Sequence, residues 1–259
     1  MKDWANLAAH SWYSEADEFW WLTQEGRQEF AWVQLFQGAA GLGPLGQEWS
    51  ATAEWHQVSG IAAWIQSRGE VNLHRSTALY SRPGRPGLEP PACLGSLIFD
   101  LDADEEDVGL GALLAVGRAA GLVLKVLELD RVPPARVKAY FSGHKGFHIE
   151  VAPGYWDDWH RWGERGMKRP SNRMTGQVRQ LLPSHAVPPA VLGAPPLNLL
   201  VVDDTTISLD KDHGFVRLAG SINQFRSGAG TMRRQKVRVP AGLLLNRSGL
   251  ERWLHKHGV

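Results

Sequence analysis

The chain has 259 residues and a formal net charge of +1, because 28 Lys and Arg residues nearly balance 27 Asp and Glu residues. This length is enough to bury a sizeable core, and the charge balance excludes a protein that is basic throughout. The single cysteine, Cys93, excludes a disulfide framework and a cysteine-built zinc site, so we expect no zinc and predict a reducing, cytoplasmic compartment. We see neither a signal peptide nor an apolar run of membrane-spanning length, so no membrane association is expected.

The N-terminal part of the chain is rich in tryptophan. Eight of the 12 tryptophans lie before residue 65, and their helix-like spacing indicates packing for most of them rather than stacking on unpaired bases. A Pro/Gly-rich stretch, residues 81–92, is predicted to be a loop. We predict a single domain over residues 1–259, with a helix-rich, tryptophan-rich part at 1–92, and with the motifs described below and a basic C-terminal part at 93–259.

The sequence LGSLIFDLDAD is predicted to form a strand that ends in two carboxylates. Alternate residues of a strand lie on one face, so Asp100 and Asp102 share a face while Phe99 and Leu101 lie on the other. Two neighbouring carboxylates repel each other unless a cation neutralises them. Hard oxygen ligands of this kind suit Mg²⁺ or Mn²⁺.

A site for two such ions needs a further carboxylate. The apolar stretch 197–204 is predicted to be a strand, and it ends in Asp203 and Asp204, either of which would complete the set. Because the acidic pair is a very short motif, a strand end capped by turn-forming acids is the alternative interpretation.

A second motif, SGHKG at residues 142–146, is predicted to form the turn between two strands, VKAYF and FHIEV. Its glycines allow backbone N–H groups to approach an anion. Ser142, His144 and Lys145 of the turn, with His148 on the second strand, would then form a cradle for phosphate. An ordinary hairpin turn with a structural histidine is the alternative.

The chain is acidic around the carboxylate pair and basic towards its C-terminus. Residues 99–107 contain six acids and no base, whereas nine Lys or Arg and one acid, Glu251, follow from Arg217 onward. This segregation fits a metal site that faces a polyanion, although most charge runs are solvated surfaces. Arg217 and Arg226 flank the sequence GSIN, and their planar guanidinium groups match phosphate. The cations predicted to follow a nucleic-acid backbone are Arg233, Arg234, Lys236 and Arg238.

The predicted elements follow the order β-α-β-β-α-β, which indicates an α+β sandwich rather than a parallel dinucleotide-binding sheet. Its two helices are predicted over residues 105–129 and 157–180. A final helix is predicted to open at Ser248, with Glu251 completing a capping box.

Three ordered motifs resemble those of the archaeo-eukaryotic primase superfamily, in particular the catalytic small subunit of archaeal-type DNA primases. The resemblance runs from about His74 to Gly228. The stretch from HRSTALYSRPGRPG to LGSLIFDLDAD is similar to the segment that leads into the metal-binding DxD of the family. FSGHKGFHIEV is similar to its Ser-Gly-x-basic-Gly-x-His motif, and DTTISLDKDHGFVRLAGSIN to its third motif.

The resemblance implies a primase-polymerase fold, with an RRM-like sheet beside an N-terminal αβ module. It implies that Asp100, Asp102 and Asp204 bind two Mg²⁺ or Mn²⁺ ions, with Asp203 as the fallback for Asp204. The residues that would hold the triphosphate of an incoming nucleotide are Ser142, His144, Lys145, His148, Arg217, Asn223 and Arg226. Asn223 stands where the family often has histidine, so one phosphate contact is either missing or supplied by Arg226.

The leading interpretation is a DNA-templated nucleotidyltransferase that starts or extends a strand on single-stranded DNA from NTPs or dNTPs. A replicative helicase or a primase accessory subunit is a candidate partner. The alternatives are a repair or end-joining polymerase of the same superfamily, a metal-dependent nuclease, and a non-catalytic nucleic-acid-binding relative. The nuclease would use the same carboxylates but would not need a triphosphate cradle.

Overall fold

The computed structural model describes residues 19–20, 31–38, 53–69, 71–84, 94–103, 108–152, 201–202, 215–227 and 230–259. The strands are β1 (Trp32–Gln37), β2 (Glu54–Gln57), β3 (Leu73–Ser76), β4 (Ala78–Leu79), β5 (Leu94–Gly95), β6 (Leu97–Asp102), β7 (Val137–Phe141), β8 (Gly146–Val151), β9 (Val201–Val202), β10 (Phe215–Arg217), β11 (Ile222–Ser227), β12 (Gly230–Gln235) and β13 (Val237–Val239). The α-helices are α1 (Ile61–Arg68), α2 (Leu110–Leu129), α3 (Ala241–Leu244) and α4 (Arg247–Lys256), and short 3-10 helices cover Val58–Gly60 and Pro134–Arg136.

A five-stranded antiparallel sheet carries the acidic pair and the predicted phosphate turn. Its strand order is β13-β7-β8-β6-β9. Taken in chain order, β6, β7, β8 and β9 are the four strands of an RRM-like sheet, with the first and third strands in the centre, and β13 extends the edge. The predicted α+β class is thus confirmed. The second helix of this pattern, predicted over residues 157–180, lies outside the described residues.

The helix α2 covers one face of this sheet because its apolar residues recur at helical spacing. Those that share a buried core with the sheet include Leu113, Val116, Ala120, Val123 and Leu127. The sheet contributes Phe99, Leu101, Phe141, Phe147 and Ile149 to the same core. One face of β6, β7 and β8 is therefore apolar and covered, and the polar residues that alternate with it lie on the other face.

By length and composition alone, α2 could cross a membrane, contrary to the expectation that the chain has no such run. Its most apolar window is 56% buried within the protein. A buried core helix passes the same test of length and composition, so we interpret α2 as the core helix of this sheet.

A second, four-stranded antiparallel sheet has the order β10-β3-β1-β2. The helix α1 packs on it through Ile61 and Ile65, which share a core with Val33 and Leu35 of β1. The described residues of the range 1–92 form β1 to β4 with α1 as their single α-helix, so β1 and β2 lie where a helix was expected. The prediction of a helix-rich part over the whole of 1–92 stays a prediction. The strand β1 places Val33 and Leu35 in the core with a period of two, which is the spacing of a strand and not of a helix.

The chain after β13 ends in α3 and α4, and the start of α4 differs from the prediction. The cap of α4 is Asn246, whose Oδ1 accepts a hydrogen bond from the Gly249 N–H at 3.0 Å. The predicted capping box of Ser248 and Glu251 is therefore wrong. Asn246 has the extended backbone that a cap needs, whereas Ser248 already lies inside the first turn and donates to Asn246 Oδ1 at 3.2 Å.

The two large sheets meet across the polar face of the five-stranded sheet. Arg75 of β3 and Glu150 of β8 form an ion pair of 3.1 Å between them, and both side chains are almost fully buried. The candidate site lies on this same polar face.

Candidate functional site

The acidic pair lies on the face of β6 that is turned away from α2. Phe99 and Leu101 are fully buried in the core beneath α2, so Asp100 and Asp102, which alternate with them, lie on the opposite face as predicted. The register of β6 with β8 places Asp100 directly opposite His148. Strand pairing thus brings the first and second motifs side by side.

The contact between Asp100 and His148 is the centre of the site. The His148 Nε2 lies 3.1 Å from the Asp100 Oδ1, and this oxygen is buried without a well-aligned hydrogen bond in the described part of the chain. Burial by itself raises the pKa of Asp100, but the charges of His148, Lys236 and Lys145 outweigh it, and the pKa lies below its ordinary value. The carboxylate is therefore ionised at neutral pH, as a ligand of a divalent cation must be.

The turn of residues 142–146 is organised by the Ser142 hydroxyl. Its Oγ accepts the Gly146 N–H at 3.1 Å and the His144 N–H at 3.4 Å, and the Ser142 N–H in turn donates to the Gly146 carbonyl at 2.9 Å. Ser142 therefore shapes the turn. Its predicted role as a direct phosphate ligand stays a prediction.

The same turn places the side chain of Lys145 next to Asp102 of the acidic pair. The Lys145 Nζ lies 3.8 Å from the Asp102 Oδ2. Gly143 makes this path possible because its φ is +82°, and because a Cβ there would lie 2.8 Å from the Arg234 carbonyl oxygen. A compact glycine turn thus places one ammonium group beside one of the two carboxylates.

His144 points from the turn to the β11–β12 hairpin. Its ring stacks on the Phe225 ring with centroids 3.7 Å apart and planes inclined by 26°. The Arg234 guanidinium lies 5.6 Å from the centroid of the same Phe225 ring. The second motif and the hairpin are therefore in direct contact.

Arg217 of β10 approaches the acidic pair from the N-terminal sheet. Its Nη1 donates to the Asn72 Oδ1 at 2.9 Å. Burial lowers the pKa of Arg217 to about 10, although the charges of Asp102 and Asp100 act in the opposite direction. The guanidinium stays charged at neutral pH and lies within electrostatic reach of both carboxylates.

His74 of β3 belongs to this site and was missed by the sequence reasoning. Its Nδ1 lies 2.8 Å from the Asn72 carbonyl oxygen, to which it donates, and its ring stacks on Phe36 at 4.6 Å. Burial, followed by the charge of Arg217, lowers the pKa of His74 to about 3, so the imidazole is neutral at pH 7. The available signal was its place at the start of HRST, where the family resemblance begins.

The position of Lys236 contradicts its prediction as a contact to the DNA backbone. The residue is only 3% exposed, its Nζ donates to the Arg217 carbonyl at 2.7 Å, and the ammonium lies 4.9 Å from the Tyr140 ring centroid. The chain passes from β12 to β13 at this residue, and its N–H donates to the Ser221 carbonyl at 3.0 Å. Lys236 is thus held inside the protein, where its charge acts on Asp100.

The remaining predicted cations lie on the strands that follow β10. Arg233 and Arg238 are exposed, and Arg234 is half-buried. They remain candidates for binding a nucleic-acid backbone. Asn223 is buried on β11, and the side chain of Arg226 lies outside the described structure.

The predicted third carboxylate, Asp204 or its fallback Asp203, also lies outside the described residues. The strand that precedes it, β9, pairs with β6 beside the acidic pair, with Val202 opposite Leu101. Within the described ranges, no group of three Asp, Glu, His or Cys side chains is placed to hold a metal ion. The two carboxylates of β6 are hard oxygen donors, which is the ligand type that Mg²⁺ and Mn²⁺ prefer.

Comparison with known proteins finds relatives over part of the chain, and no family model matches it. The DNA primase small subunit of Pyrobaculum aerophilum is 33% identical over 104 residues, which cover 36% of this chain and 32% of that protein. That of Pyrobaculum islandicum is 37% identical over 93 residues, covering 31% and 29%. That of Archaeoglobus fulgidus is 35% identical over 94 residues, covering 34% and 28%.

These matches span under a third of the length of each of these relatives. Among solved structures, the polymerase domain from Mycobacterium tuberculosis ligase D in complex with DNA aligns with 95% of this chain and 90% of that chain, at a TM-score of 0.48 and 16% sequence identity. Over about a third of its length, the chain is therefore similar in sequence to the DNA primase small subunits of these three organisms.

Proposed function

We propose that the protein is a DNA-templated nucleotidyltransferase that synthesises or extends primers on single-stranded DNA from nucleoside triphosphates. One observation carries this proposal: the carboxylate pair of β6 is surrounded by cations from separate elements. These are Lys145 from the turn before β8, Arg217 from β10 and Lys236 from the junction between β12 and β13. Carboxylates that hold divalent cations, next to cations that hold phosphates, are what the transfer of a nucleotide needs.

Mg²⁺ or Mn²⁺ would be held by Asp100 and Asp102, with Asp204, or Asp203 in its place, as the further ligand. When bound, such ions lower the pKa of an attacking hydroxyl and neutralise a leaving pyrophosphate. Asp100 is buried, yet its pKa lies below the ordinary value, so its carboxylate is ionised and able to bind a cation.

The protein side chains bind and orient the nucleotide. Lys145 and Arg217 approach the carboxylates from opposite sheets, so a triphosphate bound between them would have its charge balanced on both sides. His148 lies against Asp100 at the same point of the sheet and is the further candidate for a phosphate contact. His144, Asn223 and Arg226 remain predicted nucleotide contacts.

The template would lie along the exposed cations Arg233 and Arg238 and the half-buried Arg234. Lys236 leaves this set because it is buried beside Arg217. We place the reaction in the cytoplasm, with a replicative helicase or a primase accessory subunit as the candidate partner.

The decisive experiment is primer synthesis on unprimed single-stranded DNA, with NTPs and dNTPs offered separately in Mg²⁺ or Mn²⁺. Asp100→Asn and Asp102→Asn should each reduce incorporation about a hundredfold or more while the circular dichroism spectrum is unchanged. Glu128→Gln is the matched control, because this carboxylate is exposed on α2, on the other side of the sheet. Full activity of either aspartate variant would overturn the metal assignment. Degradation of the template, without incorporation, would show a nuclease instead.

A gapped duplex, tested in parallel, separates a primase from a repair polymerase. Incorporation on unprimed single strands supports the proposal. Incorporation confined to the gapped duplex would assign the protein to the end-joining or repair type of the superfamily.

A further inference from the structure

Asn72 stands at the junction of β3 and the β11–β12 hairpin in a conformation that few residues adopt. Its φ is +54°, in the left-handed region that asparagine enters more readily than most side chains, and the residue is only 5% exposed. A buried asparagine held in this conformation has its hydrogen-bonding groups in set directions.

The side-chain oxygen of Asn72 joins two parts of the chain. Its Oδ1 accepts the Arg217 Nη1 at 2.9 Å and the Gln224 backbone N–H at 3.2 Å. One oxygen therefore holds both the arginine of β10 and the first strand of the hairpin.

The backbone of Asn72 supports the same region by separate bonds. Its carbonyl accepts the His74 Nδ1–H and the Gly38 N–H, both at 2.8 Å, and its N–H donates to the Ile222 carbonyl at 2.8 Å. These bonds do not involve the side chain, so they remain when the side chain is removed. The roles of side chain and backbone can therefore be separated by substitution.

Arg217 is the residue that depends most on this arrangement. A long arginine side chain loses rotamer freedom when it is fixed, and a partner that fixes it in advance reduces the cost of ligand binding. Its backbone carbonyl is held by Lys236 and its guanidinium by Asn72, while the acidic pair lies within electrostatic reach.

We propose that Asn72 is a positioning residue that holds the Arg217 guanidinium beside the acidic pair, so that the phosphates of the incoming nucleotide meet an arginine already in place. This inference rests on the proposed function and adds a residue that the sequence motifs do not include. Asn72 itself acts through Arg217 and not on the nucleotide.

Two substitutions at position 72 separate this role from folding. Asn72→Gly tolerates the positive φ and keeps every backbone bond, but removes the Oδ1. Asn72→Asp keeps an oxygen at the same place. In the Asn72→Gly variant we expect the KM for the incoming nucleotide to rise about tenfold with kcat little changed, because one hydrogen bond to a charged group is lost. In the Asn72→Asp variant we expect a KM within about threefold of the wild-type value. The affinity for single-stranded DNA, measured by fluorescence anisotropy, should be unchanged in both.

A double-mutant cycle tests whether the effect passes through Arg217. In the Arg217→Met background, Asn72→Gly should change KM no further, because the group that it positions is absent. A full tenfold effect in that background, or an equal KM for Asn72→Gly and the wild type, would overturn the proposal. If the Gly variant does not fold, Asn72→Ser replaces it in the same cycle, since its shorter side chain also withdraws the oxygen.

A readout without catalysis distinguishes this proposal from the proposed function. The guanidinium NMR signals of Arg217, assigned by their loss in Arg217→Met, should show restricted rotation and slow hydrogen exchange in the wild type and in Asn72→Asp, and fast exchange in Asn72→Gly. If the wild type incorporates no nucleotide, the proposed function fails, and these signals still decide whether Asn72 positions the arginine. Identical signals in wild type and Asn72→Gly would refute the positioning role whatever the activity.

Discussion

The buried ion pair between Arg75 and Glu150 makes the relative placement of the two sheets testable. The Arg75 Nη2 lies 3.1 Å from the Glu150 Oε1, and the two side chains are 1% and 4% exposed. The pair is also hydrogen-bonded at both ends: Ser96 Oγ donates to the same Glu150 oxygen, and the Arg75 Nη1 donates to the Ser76 carbonyl at 3.0 Å. Glu150 is two residues from His148 on β8, so the pair lies directly beside the candidate site.

Removing one partner of this pair should destabilise the protein severely. The remaining charge would stay buried without its counter-ion, which typically costs about 3–5 kcal/mol. Since a domain is stable by only about 5–15 kcal/mol, Arg75→Met or Glu150→Leu should shift the unfolding midpoint strongly. The double variant Arg75→Met/Glu150→Leu removes both charges and should recover most of the loss, because apolar replacements of a buried pair are often nearly neutral.

Urea unfolding, followed by tryptophan fluorescence and circular dichroism, measures these changes. The matched control is Arg68→Met, which removes one partner of the Arg68–Glu54 pair, because both side chains of that pair are more than 40% exposed. An exposed pair contributes about 0–1 kcal/mol. If the buried single variants cost no more than Arg68→Met, or if their effects simply add in the double variant, the pair does not hold the sheets together as argued.

Three other perturbations have defined outcomes. Gly146→Ala should destabilise the fold by roughly 1–3 kcal/mol, because a methyl group there would overlap the Leu101 carbonyl and the Asp102 carboxylate. Gly111→Ala is the control, since a Cβ at Gly111 would meet open space. Equal stability of the two variants would contradict this prediction. The pKa of His74 is lowered from 6.5 to about 3, so between these pH values the unfolded chain binds a proton that the folded protein does not. The free energy of unfolding should therefore fall with decreasing pH in this window, by up to about 1.4 kcal/mol per unit, and His74→Asn should lack this contribution to the slope in urea titrations across the range. Replacing Arg233 and Arg234 by Gln should lower the slope of the log–log salt dependence of single-stranded DNA binding by about 0.7 for each arginine that binds a phosphate. The control replaces the exposed Arg118 and Lys125 of α2 by Gln and should leave the slope unchanged. An unchanged slope in the Arg233/Arg234 variant would mean that these two arginines are solvated surface residues.

The sequence by itself determined those features that depend on residues close together in the chain. The alternation in LIFDLD predicted that Asp100 and Asp102 share a face, and the structure confirms it because a strand repeats every two residues. The apolar spacing within 105–129 predicted the helix that became α2, and the two strands around the SGHKG turn lie where the alternation of VKAYF and FHIEV placed them. The same local reasoning was wrong for β1, where Val33 and Leu35 enter the core with the period of a strand and not of a helix. It was also wrong for the start of α4, whose cap is Asn246 and not Ser248.

Only the tertiary structure decided which distant side chains share the site. Asn72 and Arg217 are 145 positions apart, and no spacing rule connects them before β3 pairs with β10 and the hairpin packs on their junction. Lys236 shows the same limit, because Arg233 and Arg238 close to it in the sequence are exposed while its own ammonium is buried beside Arg217. Local spacing determines the face that a side chain occupies. The packing of one element on another determines what it meets there and whether water remains, and so whether a lysine serves as a surface cation or as a buried counter-charge.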